Sequence, residues 1–206
     1  MKHVTLIRNA TQTLIDHTEE LTALDQAIGD GDHGLNMKRG ALAIQAKLSE
    51  LEGKSLNDAL KAMGTICMAK IGGSSGPVFG TLLVTLSKEL PAAPQPPDLS
   101  RALSAGIAAL TRLGKAEVGH KTLLDVLDPL RRLLEKAEGL HRAALFDAVS
   151  RCALDASQAT AQMEAIKGRA SFLGERALGH VDPGSRSMAL IVVSVCDSLR
   201  ATASHD

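Results

Sequence analysis

Three carboxylates, Asp25, Asp30 and Asp32, bear on one short stretch, Gly29-Asp30-Gly31-Asp32-His33-Gly34-Leu35-Asn36. Its glycines let the backbone bend tightly and approach a ligand closely. Carboxylates crowded in this way repel one another unless a cation sits between them. The donors are oxygens with no thiolate nearby, so the chemistry on offer is the holding of a hard cation, Mg²⁺ or Ca²⁺. The stretch also fits the dinucleotide fingerprint G-x-G-x-x-G, but that motif follows a strand. Here Leu21, Leu24 and Ile28 precede it at helical spacing, and two bare aspartates would repel a pyrophosphate. An EF-hand loop opening at Asp30 would need a ligand side chain at Gly34, glycine at Leu35 and glutamate at Ala41, and it fails at all three. The bland alternative is a solvated Gly/Asp turn. It loses ground because polar, glycine-rich loops recur along the chain.

The second such loop is Gly72-Gly73-Ser74-Ser75-Gly76-Pro77. Its free backbone N–H groups, followed by a helix start marked by Pro77, suit an anion, although a plain interhelical turn would read the same. The third, Gly114-Lys115 through Gly119-His120-Lys121-Thr122, is a near miss to a P-loop. His120 intrudes before Lys121 and no strand precedes it, so the P-loop is rejected. The fourth runs from Lys167 to Ser185 and carries Arg169, Arg176, His180 and an Asp182-Pro183-Gly184 turn. Loops of that length are functional or disordered, and the apolar residues within this one favour order. His180 either orients the loop or is merely solvated there.

Eight helices must position these loops. Apolar spacing predicts them at Val4–Ile28, Asn36–Leu51, a third running to Ile71, Val78–Leu90, Leu99–Leu113, Leu123–Leu134, Ala143–Met163 and Ser185–Ala201. Ser55 with Asp58 forms the N-cap of the third. Pro129 should kink the sixth or mark a start within it. Pro91 to Pro97 reads as an extended surface connection. Helices one, three, five and seven each precede one glycine-rich loop. In an up-and-down antiparallel bundle alternate loops share an end, so all four should build one site. Clustered carboxylates, anion-friendly backbone, Lys121 and Arg169 together suit a metal-chelated polyphosphate.

The bulk properties agree. With 206 residues the chain is one domain, 1–206. Basic and acidic residues balance at 23 each, which leaves no global field for nucleic acid or an anionic membrane. Aromatic residues are 1%, so Leu, Ala, Ile, Val and Met must build the core, a composition that favours helices. Cys67, Cys152 and Cys196 are isolated, odd in number and without CxxC spacing. Neither disulfide nor zinc fits, and reduced, buried thiols in a cytoplasmic protein are expected. The N-terminus from Met1 lacks the apolar run of a signal peptide, and no stretch is apolar enough to span a membrane. His17, His141 and His205 are expected at the surface.

Several blocks resemble one family. Ala27 to Gly40, Gly72 to Pro77, Gly119 to Asp125, Gly168 to Arg176 and His180 to Gly184 occur in the order found in the nucleotide-binding L subunit of dihydroxyacetone kinase. The resemblance covers essentially the whole chain. It implies an all-α fold, an eight-helix antiparallel up-and-down barrel with the nucleotide at one end. It implies ADP or ATP bound with two Mg²⁺ ions, the metal held by Asp25, Asp30 and Asp32. Phosphate contacts match His33, Gly34, Leu35 and Asn36, with Ser74 and Ser75 from the second loop. Gly114 and Leu123 match positions around the adenine. Leu123 stands where the family often has methionine, and its apolar side chain can still pack on the base. Arg169 and the Asp182, Pro183, Gly184 turn match a covering loop, with Arg169 the catalytic group. A separate K subunit would hold the ketone substrate. Resident ADP would be recharged by a phosphotransferase-system M subunit. The alternatives are an ATP-dependent kinase subunit for another ketose such as erythrulose, or an ADP-bound regulatory subunit acting on a transcription factor.

Overall fold

The computed structural model describes residues 3–203; Met1, Lys2 and His205 lie outside them. It is all-helical, with ten helices and no strand among the described residues. They are α1 (His3–Asp16), α2 (Thr18–Ile28), α3 (His33–Gln45), α4 (Leu48–Glu52), α5 (Leu56–Lys70), α6 (Ser75–Glu89), α7 (Pro96–Gly114), α8 (Leu124–Glu135), α9 (Arg142–Ala159) and α10 (Pro183–Ala203).

Two of the expected helices are each divided. The first breaks at His17, whose ring N–H donates to the Thr13 carbonyl at 2.8 Å while the Thr18 hydroxyl donates to Ile15 at 2.6 Å. The Thr18 bond satisfies a carbonyl near the end of α1, while the Thr13 carbonyl also accepts the His17 backbone N–H at 3.1 Å. His17 stays partly exposed at the surface, with its side chain 37% accessible. The second breaks at Lys47, whose N–H turns back to the Ile44 carbonyl at 2.9 Å. The apolar period runs unbroken through both sites and neither carries glycine or proline, so periodicity alone joins the pieces.

Other boundaries follow local chemistry. Ser55 caps α5 as its position predicts: its hydroxyl accepts from the Asp58 N–H at 3.1 Å and donates to the Asp58 carboxylate at 2.7 Å. The proline-rich stretch is shorter than its composition suggests, because α7 takes in Pro96 and Pro97 as its first residues. A first turn has no intrahelical use for their missing N–H groups, and Gln95 with Asp98 closes a capping box around them. Pro129 lies inside α8 rather than starting it. The seventh expected helix ends at Ala159, followed by a 3₁₀ turn at Thr160–Gln162 and a kinked 3₁₀ segment at Arg169–Ala177. The covering loop thus carries a helical segment of its own.

Packing neighbours run α1 to α3 to α5, then sequentially to α10, and α10 packs back on α1. That last seam is antiparallel: the Asn9 amide donates to Ser198 at 2.8 Å and Thr13 to Ser194 at 3.0 Å, and α2 continues it where Glu20 meets Arg186 at 2.5 Å. The core between the helices is aliphatic, with Leu21, Met37, Leu51, Leu124 and Leu127 almost wholly buried. Each such side chain contributes about 1.5–3 kcal/mol by leaving water. A smaller cluster of Ile28, Ala165 and Ala177 pins the covering segment to the end of α2. Cys67 and Cys196 are buried, Cys152 is half-buried, and all are free thiols. Among the described residues no helix is long and apolar enough to cross a membrane.

Candidate functional site

The Asp/Gly stretch is shaped by two backbone requirements. Gly31 sits at φ 76°, in the left-handed region open to glycine. Gly34 lies where α3 meets α2 so closely that a Cβ would stand 2.2 Å from the Thr18 carbonyl. The turn brings Asp25, Asp30 and Asp32 together, each offering an oxygen, with those atoms within 4.8 Å of one another. Asp25 is buried, and its Oδ2 accepts the His33 N–H at 3.0 Å, which caps α3 and leaves its other oxygen for a cation. Asp30 is exposed and paired with the Arg169 guanidinium. An all-oxygen set of three carboxylates already drawing a cationic side chain fits a hard divalent metal.

These carboxylates line a pocket of about 360 Å³ to which all four glycine-rich loops contribute. Its walls include Asp25, Asp30, Asp32 and His33 from the first loop, Ser74 and Ser75 from the second, and Gly114 and Leu123 from the third. Arg169 and Asp182, Pro183 and Gly184 come from the fourth. Four helices, α3, α6, α8 and α10, begin at this pocket, so four positive dipole ends bear on it. One wall is apolar, formed by Val78, Leu110, Leu123 and Leu124. The combination is a polyanion end beside an apolar slot.

Three expected phosphate contacts lie outside the pocket lining. Gly34 and Asn36 are buried and Leu35 is 56% exposed. The Asn36 side chain instead accepts from Arg39 at 2.6 Å. Gly34 and Leu35 can present backbone N–H groups of the first turn of α3 to a ligand, whereas the Asn36 N–H already donates to the Asp32 carbonyl at 2.9 Å. Lys121 corrects the expectation that it faces phosphate. Only 2% exposed, it donates to the Thr160, Met163 and Ala177 carbonyls at 2.9, 3.2 and 2.8 Å. His180 is exposed.

Sequence reasoning missed how His33 is held. Its ring nitrogens meet Ser75 Oγ at 3.1 Å and Ser187 Oγ at 2.7 Å, tying the starts of α3, α6 and α10 to one side chain. Burial lowers the His33 pKa from its ordinary value, opposed by Asp25 and Asp32, which favours the neutral ring. Ser187 had no signal in the sequence, being 154 positions away on a helix whose apolar stripe hides it.

Desolvation pushes the Asp182 carboxyl up from 3.8 to about 6, against the Ser185 N–H that donates to it at 2.6 Å. A carboxyl raised in the folded state binds its proton more tightly there than in the unfolded chain. Its contribution to stability is therefore full below 3.8 and is lost as pH rises to about 6. Over that window the wild type is expected to lose thermal stability relative to Asp182→Asn, which keeps the acceptor for Ser185. Parallel melting curves across the window would refute the assignment.

Comparison with known proteins places this geometry. The DAK2 domain family model matches residues 27–197. The chain is 40% identical over 177 residues to the ADP-binding subunit DhaL of PEP-dependent dihydroxyacetone kinase 1 from Listeria innocua, covering 85% of each chain. It is 38% identical over 179 residues to the corresponding Escherichia coli subunit, again over 85% of each. The crystal structure of dihydroxyacetone kinase from C. freundii in complex with AMP-PNP and Mg²⁺ superposes with a TM-score of 0.75 at 25% identity. That match covers 95% of this chain and 33% of the solved one.

Proposed function

From the premise that the chain belongs to the DAK2 domain family, we propose that it is the ADP- or ATP- and Mg²⁺-binding subunit of a dihydroxyacetone kinase. In this reading the phosphoryl group passes to a ketone held on a separate K subunit. Resident ADP is recharged by a phosphotransferase-system M subunit, and the complex works in the cytoplasm. The observation that carries the reading is the meeting of three carboxylates, four helix N-termini and an apolar wall in one pocket. The ring of packing neighbours supports an eight-membered up-and-down barrel in which α2 and α4 continue α1 and α3.

Asp25, Asp30 and Asp32 hold the metal, two ions in the nucleotide complex. When bound, Mg²⁺ supplies neutralisation and alignment of the phosphates. The first turn of α3, through His33, Gly34, Leu35 and Asn36, and Ser74 with Ser75 take the phosphate oxygens. Gly114 and Leu123 flank the adenine, and Asp182, Pro183 and Gly184 close over the nucleotide. Arg169 leaves Asp30 to screen charge on the moving phosphoryl group; no general base is assigned to this chain.

The test is the nucleotide and Mg²⁺ content of the freshly purified protein, with phosphoryl transfer from that pool measured for wild type and Arg169→Ala. One tightly held ADP per chain, with transfer slowed at least about tenfold in the variant, is expected. A site that is empty on purification but exchanges ATP would favour the ATP-dependent alternative. No nucleotide binding at any Mg²⁺ concentration would sink both.

A further inference from the structure

Lys121 is the most deeply buried cation among the described residues, and nothing above gives it a role. It sits at φ 59°, a left-handed conformation that a side chain rarely adopts, just after Gly119 at φ 94°. That backbone turns its stem inward, to 2% exposure. Its ammonium has three hydrogens, and three carbonyls receive them: Thr160 at 2.9 Å, Met163 at 3.2 Å and Ala177 at 2.8 Å.

The identity of those carbonyls matters. Thr160 follows the last turn of α9, Met163 ends the 3₁₀ turn, and Ala177 ends the covering segment. One atom therefore gathers the two stems of the loop that carries Arg169. Neighbouring bonds tighten the same neck. The Gly179 N–H donates to the Ala161 carbonyl at 2.8 Å, and the Asp182 N–H donates to Thr160 Oγ1 at 3.0 Å. Lys121 itself belongs to the third loop, which supplies Gly114 and Leu123 to the pocket. The ammonium is thus the joint between the loop beneath the proposed base site and the segment that covers the phosphates. Its positive charge also faces the C-terminal dipole of α9.

We infer that Lys121 is a positioning residue that clasps the neck of the covering segment and thereby sets how long a nucleotide stays bound. Lys121 edges the pocket, but its three N–H donors are spent on backbone carbonyls, so it acts through Arg169 and the Asp182-Pro183-Gly184 turn. The inference rests on the nucleotide-binding reading above.

The experiment measures release of a fluorescent ADP from wild type, Lys121→Met and Lys121→Arg with Mg²⁺ present, at a temperature where circular dichroism shows all three folded. Charged hydrogen bonds lost at the neck should speed release about tenfold in Lys121→Met, and Lys121→Arg, which keeps donors, should restore most of the wild-type rate. Trypsin should cut Lys121→Met faster at Arg169 and Arg176, with less protection by ADP. A folded Lys121→Met that releases ADP at the wild-type rate would overturn the clasp and leave the nucleotide site standing. Wild-type protein that binds no ADP would remove the underlying reading, and the clasp with it.

If Lys121→Met does not fold, acetylation of the wild type by acetic anhydride, read by mass spectrometry, decides the matter. Lys121 should label far more slowly than the exposed Lys115, and ADP with Mg²⁺ should slow it further. Labelling of Lys121 that ADP does not change would overturn the proposal.

Discussion

Asp30→Ala should weaken Mg²⁺-dependent ADP binding on the order of a hundredfold while the far-UV spectrum and melting temperature stay near wild type. Asp30 is the cleanest probe of the three carboxylates because the fold barely uses it. It is exposed, and its recorded partner is the half-exposed Arg169 guanidinium. Exposed pairs of that kind contribute little to stability. Asp25 is different: it is buried and its Oδ2 caps α3 through the His33 N–H. Replacing it would confound loss of a cap with loss of a ligand. Titration of Mg²⁺ at fixed fluorescent ADP reads the effect. Retained affinity in Asp30→Ala would remove the metal assignment for this loop.

Gly34→Ala should destabilise the protein by about 2–3 kcal/mol through overpacking, a fall of roughly 5–10 °C in melting temperature for a chain of this size. The added methyl would lie 2.2 Å from the Thr18 carbonyl, 2.3 Å from Thr22 Oγ1 and 2.7 Å from the Thr22 N–H nitrogen. Two of those atoms are backbone, so α2 and α3 must separate rather than a side chain rotate. The separation would also pull Asp25 away from Asp32, so nucleotide affinity should fall together with stability. Gly53→Ala is the control: its backbone lies at φ −84° and nothing stands within 4 Å of a new Cβ. Equal melting temperatures for the two variants would refute the close approach of α2 and α3.

Features encoded within a few residues were legible in the sequence. The Ser55–Asp58 cap and the crowding of Asp25, Asp30 and Asp32 depend on spacing alone, and the structure carries both. The convergence of four loops was legible by topology, since loops that follow alternate helices share an end. What was hidden depended on side-chain direction or on distant partners. The break at His17 leaves the hydrophobic period intact, so nothing in the pattern marks it. Pro96 and Pro97 read as a linker until the helix start beneath them is known. Lys121 illustrates the limit most directly. Its charge and its place beside Thr122 suggest phosphate, whereas the left-handed turn at Lys121 sends the same charge into three carbonyls.

The seam between α1 and α10 has a kinetic consequence. Asn9 and Ser198, which bond across it, are 189 positions apart. Contacts of such separation form late, because their loop-closure entropy must be met before they stabilise anything. The pocket straddles this seam: its carboxylates come from the end of α2 and the following turn, and its Asp182-Pro183-Gly184 edge from the start of α10. A chain emerging during synthesis therefore carries the three clustered carboxylates early but lacks the far wall of the pocket until the last helix docks. On the proposed nucleotide-binding reading, capture of nucleotide would report completion of folding, and a bound nucleotide would hold closed the seam that closes last.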